Sequence, residues 1–206
     1  MTDLTEHEVL VESAAAPEAP VGRSTGWWAM VLFIATESAT FAAFLASYFY
    51  LRFSAKGPWP PTGDKAPDLT LPTIATVVLV VSCLPMLAGS RLAARRSRAG
   101  AALGTLGALA GGAAFLVLQV LDWLSEWPES TLSKDAYGSL FYAITGLHTA
   151  HVVIGVGMLA FLAASLGVRR AAARPRGPVM LVAMYWYFMS VVALAVYVTV
   201  YLSPTL

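Results

Sequence analysis

Three side chains in this sequence carry chemistry that hydrocarbon does not readily hold: Glu37, His148 and His151. Glu37 lies ten residues past Trp27, which at a rise of about 1.5 Å per residue is roughly 15 Å into an apolar run and close to the middle of a bilayer. His148 lies ten residues past Gly138, in a later run that enters from the other side, and reaches a similar depth. The i, i+3 spacing to His151 predicts both imidazoles on one helix face, one turn apart. A carboxylate and two imidazoles at one depth can do three things. They can start a metal site, but three or four ligands are needed, and the apolar runs hold no further His, Asp or Glu at that depth; no bound metal is expected. They can hold and pass a proton, because surroundings move buried Glu and His toward neutrality. Or Glu37 can simply be hydrogen-bonded to a histidine and join two helices. The residues alone leave this choice open.

The elements that must position these side chains are five long apolar runs: Trp27–Leu51, Pro72–Leu92, Ala101–Trp123, Gly138–Gly167 and Pro178–Leu202. Each reaches the ~20 residues a helix needs to cross ~30 Å of hydrocarbon. Backbone groups in lipid must be satisfied within the segment, so runs of this length are helices and not barrel strands. Composition agrees. Of 206 residues 58% are hydrophobic and only 12% charged, against roughly 25% charged in soluble domains, and the mean hydropathy is +0.68. A net charge of +1 offers no field for nucleic acid, and the single cysteine, Cys83, can form neither an internal disulfide nor a thiolate cluster. The expected fold is an all-α, five-helix membrane bundle.

Nine of the thirteen Lys and Arg fall on one side of these runs, including Arg91, Arg95, Arg96 and Arg98, and four on the other, including Arg52. The basic side is expected to face the cytoplasm, with the N-terminus inside and the C-terminus outside. Trp27 and Trp28 then sit at the inner interface, and Trp123 and Trp127 at the outer one. Residues 1–26 carry five acids against one Arg23 and read as a disordered acidic cytoplasmic tail, not a signal peptide; residues 27–206 are the membrane domain. The connection Ser54–Leu71 holds four prolines and cannot be helical. In the third run Gly100, Gly104, Ala108 and Gly112 recur every four residues, a smooth face for close helix approach. Pro85 should bend the second helix by removing the bond to the Val81 carbonyl, with Cys83 beside it a small buried residue. Gln119 and Asp122, at the outer end of the third run, are expected to cap or pack near the interface.

Three segments resemble one family. Thr36–Arg52, TESATFAAFLASYFYLR, is similar to the first core helix of subunit III of the haem–copper cytochrome oxidases, in which a buried carboxylate opens an aromatic-rich run ending in Tyr-Leu-Arg. Phe115–Trp123, FLVLQVLDW, is similar to that family's Gln-x-x-Glu-Tyr ending, with Asp122 for Glu and Trp123 for Tyr. Thr145–Gly155, TGLHTAHVVIG, is similar to the family's Thr-Gly-Phe-His-x-x-His-Val-x-x-Gly pattern from Thr145 and Gly146 to Gly155, with Leu147 for Phe. The last run keeps Tyr185 and Trp186 but has Tyr187, Ser190 and Ala193 where the family usually has His, Asp and Trp. The chain thus resembles the short five-helix bacterial form with a divergent last helix.

The resemblance implies a non-catalytic subunit of a respiratory, proton-translocating terminal oxidase in a bacterial plasma membrane. It implies docking on the catalytic subunit I, with subunit II and small subunits in the complex, and haem and copper in those partners rather than in this chain. Phospholipid in a cleft between the first two helices and the rest, and support of proton uptake, are implied too. Glu37, His148 and His151 become a mid-membrane polar cluster, and Arg52 an anchor for a phosphate headgroup or an acidic loop. Arg91 and Arg95 become candidates for anionic lipid. Two other functions remain open: an accessory subunit of a nitric-oxide reductase, and a small stand-alone proton-coupled transporter.

Overall fold

The computed structural model describes residues 23–57, 59, 68–126, 136–167 and 176–205. The acidic tail up to residue 22, the four loop prolines, Trp127, Glu129, Asp135, Lys65, Lys134, Arg169, Arg170 and Arg174 lie outside the described residues. The described chain is helical: α1 (Thr25–Ser54), α2 (Thr70–Val81), α3 (Cys83–Ala94), α4 (Arg98–Glu126), α5 (Ala136–Gly167) and α6 (Arg176–Val196). A π-helical turn, Tyr197–Leu202, continues α6, and a short 3₁₀ turn closes at Thr205. α2 and α3 form one span, so five spans are long and apolar enough to cross a membrane, and their ends fall within three residues of the five apolar runs.

Local chemistry starts and stops these helices. Ser24 caps α1, its Oγ accepting from the Trp27 N–H at 3.3 Å. The Asp68 carboxylate accepts from the Thr70 N–H at 2.8 Å at the start of α2. The second span breaks at Ser82, three residues before Pro85, where the sequence predicts the bend. α3 ends with Ser97 N–H bonded to the Leu92 carbonyl at 2.9 Å around Arg96, which has φ 61°. That is the left-handed closure usually given to glycine.

The predicted small-residue face of α4 is where the bundle is tightest. A Cβ added at Gly104 would lie 2.5 Å from both the Gly89 Cα and the Pro85 carbonyl oxygen, and one at Gly100 would lie 2.5 Å from a Leu92 methyl. Gly112, two turns beyond Gly104, faces α6, where its Cβ would strike Trp186 at 2.5 Å. Two glycines outside the predicted period, Gly107 and Gly111, complete the seam against Pro85 and Ser82. Backbone approach this close gives dispersion contact that larger side chains would prevent.

Trp186, wholly buried, is the pivot of the larger core, with Leu79, Met86, Val152 and Leu159 around it. A second core of Phe41, Tyr48, Phe141, Tyr185 and Met189 joins α1 to α5 and α6. Phe41 and Tyr48 are the two buried residues of α1. The resemblance set the first two spans apart from the rest around a cleft. Here the second span packs on α4 and α6, with a groove of about 330 Å³ beside Val77, Val81, Pro85, Gly107 and Gly111, and α1 packs on α5 and α6.

Candidate functional site

α1 and α5 bring Glu37 and His151 together. Glu37 Oε2 lies 2.9 Å from His151 Nε2, and His151 Nδ1 lies 2.8 Å from the Leu147 carbonyl one turn back on its own helix. A carbonyl only accepts, so Nδ1 carries a hydrogen and donates it. The contact between Nε2 and Oε2 then needs a proton of its own, because otherwise an imidazole lone pair would face a carboxylate. Whether that proton sits on nitrogen or on oxygen, the pair is neutral as a whole and holds one proton beyond the Nδ1 hydrogen. Its side chains are not sealed: 21% of Glu37 and 12% of His151 is exposed. Phe41 stands edge-on to the imidazole at 5.2 Å, and Tyr185 donates to the His151 carbonyl at 2.8 Å, fixing the backbone that carries the ring.

His148 does not join them. Its ring enters the core between Phe41 and Phe115, with centroids at 6.3 and 5.6 Å, and is 2% exposed. Residues three apart on a helix differ by about 60° in direction. α5 packs against α1 on one side and α4 on the other, so that angle separates a ring facing Glu37 from a ring facing the interior. Among the described residues no three His, Cys, Asp or Glu side chains gather as a metal-binding group.

A second polar network lies toward the other end of the bundle. Asp122, 1% exposed, accepts from the Tyr201 hydroxyl at 2.6 Å and from Gln119 Nε2 at 3.2 Å. Both are expected to cap or pack at the outer end of the third run; there they are buried, with Tyr201 carried over α4 by the π turn. Tyr197, four residues earlier and stacked on Tyr201, shares a hydrogen bond of 2.7 Å with the Thr73 hydroxyl. The sequence reading passed over Tyr197, Tyr201 and Thr73. Their signal was a tyrosine pair at four-residue spacing in an otherwise aliphatic run.

The other motif residues have separate tasks. Thr145 receives the Trp123 indole N–H at 3.2 Å, and Trp186 donates to the Ser82 hydroxyl at 2.9 Å where the second span breaks. Gly155 lies under the rings of Tyr185 and Trp186, whereas a Cβ at Gly146 would meet nothing within 4 Å. Of the divergent positions, Ser190 bonds the Trp186 carbonyl at 3.0 Å and receives the Cys83 thiol at 3.0 Å. Arg52 is half-buried in the last turn of α1, while Arg91 and Arg95 are exposed at the end of α3. Arg98 instead turns inward, its Nε donating to the Leu166 carbonyl at 2.6 Å and closing the end of α5. Trp27 is half-buried beneath the Arg23 guanidinium, 4.9 Å from its ring, and Trp28 is exposed. In the loop after α1, Trp59 donates to the Tyr48 hydroxyl at 3.1 Å and packs edge-on against Tyr137.

Comparison with known proteins agrees with the segments quoted above. The family model described as cytochrome c oxidase subunit III matches residues 9–204. A probable cytochrome c oxidase subunit 3 from Nocardia farcinica is 30% identical over 172 residues, covering 83% of this chain and 84% of the relative. Cytochrome c oxidase subunit 3 of Synechocystis is 29% identical over 174 residues, covering 84% and 73%. The protein of the same name from Lumbricus terrestris is 28% identical over 179 residues, covering 84% and 68%.

Proposed function

We propose, on the premise that this chain belongs to the cytochrome c oxidase subunit III family, that its mid-membrane pair Glu37–His151 holds and exchanges a proton for the complex it serves. The chain is a membrane-embedded, non-catalytic subunit of a haem–copper oxidase. The oxidase chemistry of reducing oxygen belongs to the complex. In our reading haem and copper lie in the catalytic subunit I and in subunit II, and this chain docks on subunit I in a bacterial plasma membrane, N-terminus in the cytoplasm. The observation that carries the proton role is the arrangement at His151. Its Nδ1 is committed to the Leu147 carbonyl, so only the 2.9 Å contact to Glu37 is available for exchange. Both partners also keep an exposed edge, where a docked subunit can bring a proton-carrying group to the pair.

Lipid contact is the second part of the reading. A groove of about 470 Å³ runs between α1 and the ends of α5 and α6, walled by Met30, Met158, Phe161 and Leu181. It suits an acyl chain. The exposed Arg91 and Arg95 suit anionic headgroups on the same side, Trp27 and Trp28 the inner interface, and Arg52 a phosphate at the far end of α1.

Two experiments test this. Affinity purification of the chain from native membranes should yield a haem- and copper-containing oxidase by absorption spectrum; a partner without haem, or a reductase without copper, defeats the assignment of the complex. Glu37→Gln keeps a donor for His151 Nε2, so the complex should assemble with a stability loss of at most about 1 kcal/mol. It removes the exchangeable proton, so the pH profile of turnover or its lifetime should change. An unchanged profile through the alkaline range leaves Glu37 with only a packing role.

A further inference from the structure

His148 is 2% exposed, and neither ring nitrogen reaches a hydrogen-bonding atom of the protein. Buried polar groups in native proteins are rarely left in that condition. The ring lines a small, largely buried pocket of about 10 Å³, close to the space that the centre of one water molecule needs. Thr76, Gln119, Tyr197 and Tyr201 line the same cavity, so it offers hydroxyl and amide groups beside the imidazole. Phe115 and Ala193 supply its apolar wall. The polar groups are already organised: Gln119 donates to Asp122 at 3.2 Å and to the Tyr201 hydroxyl at 3.4 Å, and Tyr201 donates to Asp122 at 2.6 Å. A buried water requires two to four polar partners. This wall provides them without any charged group entering the cavity.

We propose that this cavity is a water-binding site, in which a buried water bridges the His148 imidazole to the Gln119–Tyr201–Asp122 network. Water fits where other ligands do not. The space is too small for an organic molecule, and the wall offers neutral donors and acceptors instead of a set of anionic ligands. An imidazole has one donor and one acceptor when neutral, and water can serve either. The bridge ties α5 to α4 and to the π turn, and it brings hydrogen-bonded groups to within one helical turn of His151. It holds whether or not Glu37 exchanges protons.

The test is a structure of the intact complex at a resolution that shows buried waters, with Ala193→Leu as the comparison. The expected result is density for a water within hydrogen-bonding distance of a His148 nitrogen and of Gln119 or a tyrosine hydroxyl. Ala193→Leu fills the cavity without touching a polar group and should remove that density. A dry cavity in the unmodified complex, or a His148 ring bonded directly to a protein atom, overturns the proposal. Thermal unfolding of His148→Leu in the complex gives an independent reading. A hydrated site predicts a midpoint lowered by several degrees, because the water and its network lose a partner. A dry site predicts an unchanged or raised midpoint, because an unpartnered polar ring has been replaced by an apolar one.

Discussion

Asp122 is a carboxylate buried to 1% exposure in an apolar bundle, where a tyrosine hydroxyl and an amide donate to it and offset the cost of burying its charge. Tyr201→Phe keeps the ring and removes the shorter of the two bonds, so it should destabilise the chain by about 1.5–3 kcal/mol, measured by reversible unfolding in detergent or bicelles. A loss within error would mean that this hydroxyl contributes little to satisfying Asp122. Much at this scale was legible beforehand. Glu37 and the histidines were identifiable because charge is scarce in the spans, but depth placed Glu37 level with His148 and left open which imidazole it meets; the bond is to His151. The partition of the two histidines was not legible: it turns on a difference of about 60° around α5, decided by where α1 and α4 pack. Nor was the cavity, which needs the small Ala193 at a position where the resemblance expects a tryptophan.

At the scale of elements, glycine carries two unlike meanings in this chain. Gly104 meets Gly89 backbone to backbone, while Gly146 faces open space on α5. Gly104→Ala must push two helices apart and should cost about 1–3 kcal/mol. Gly146→Ala only improves helix propensity and should gain about 0.5–1 kcal/mol in the isolated chain. Unfolding of the two variants side by side checks both, and similar effects from the pair would contradict the seam. The glycine period of four made the seam visible in sequence, as Pro85 did the break at Ser82. Gly107 and Gly111 escaped it, since they face α2 and α3 only once Pro85 and Ser82 are in place. The π turn at Tyr197–Leu202 escaped too: no residue type there demands i→i+5 bonding, and its tyrosines point to tertiary partners, Thr73 and Asp122. Arg96 shows the same limit, holding a left-handed closure in a run that reads as solvated charge. Arg96→Gly should therefore stabilise the end of α3 by about 0.5–1 kcal/mol, seen as a higher unfolding midpoint.

The whole molecule is unevenly held. Of each span's most apolar window, 56% is buried within the chain for the last span, and 28–33% for the second, third and fourth. The figure is 6% for α1. Thr36, Ser38, Thr40 and Ser47 on α1 each return a hydroxyl to a carbonyl of their own helix, so its polar groups need no partner and its exposed side tolerates lipid or another helix. What fixes α1 to the rest is Phe41, Tyr48, the Tyr48–Trp59 clasp and the Glu37–His151 bond. The bond and Phe41 are the two of these near mid-membrane. α1 should then be the first span to separate when the chain is taken from its complex. Amide exchange of the isolated subunit in detergent should be fastest along α1 outside its ends, and Glu37→Leu should speed it several-fold there while leaving α4 unchanged. In the assembled oxidase the difference should shrink, because a docked neighbour covers the face the chain leaves open. Equal protection of α1 and α4 in the isolated subunit would show that α1 is anchored by more than these contacts.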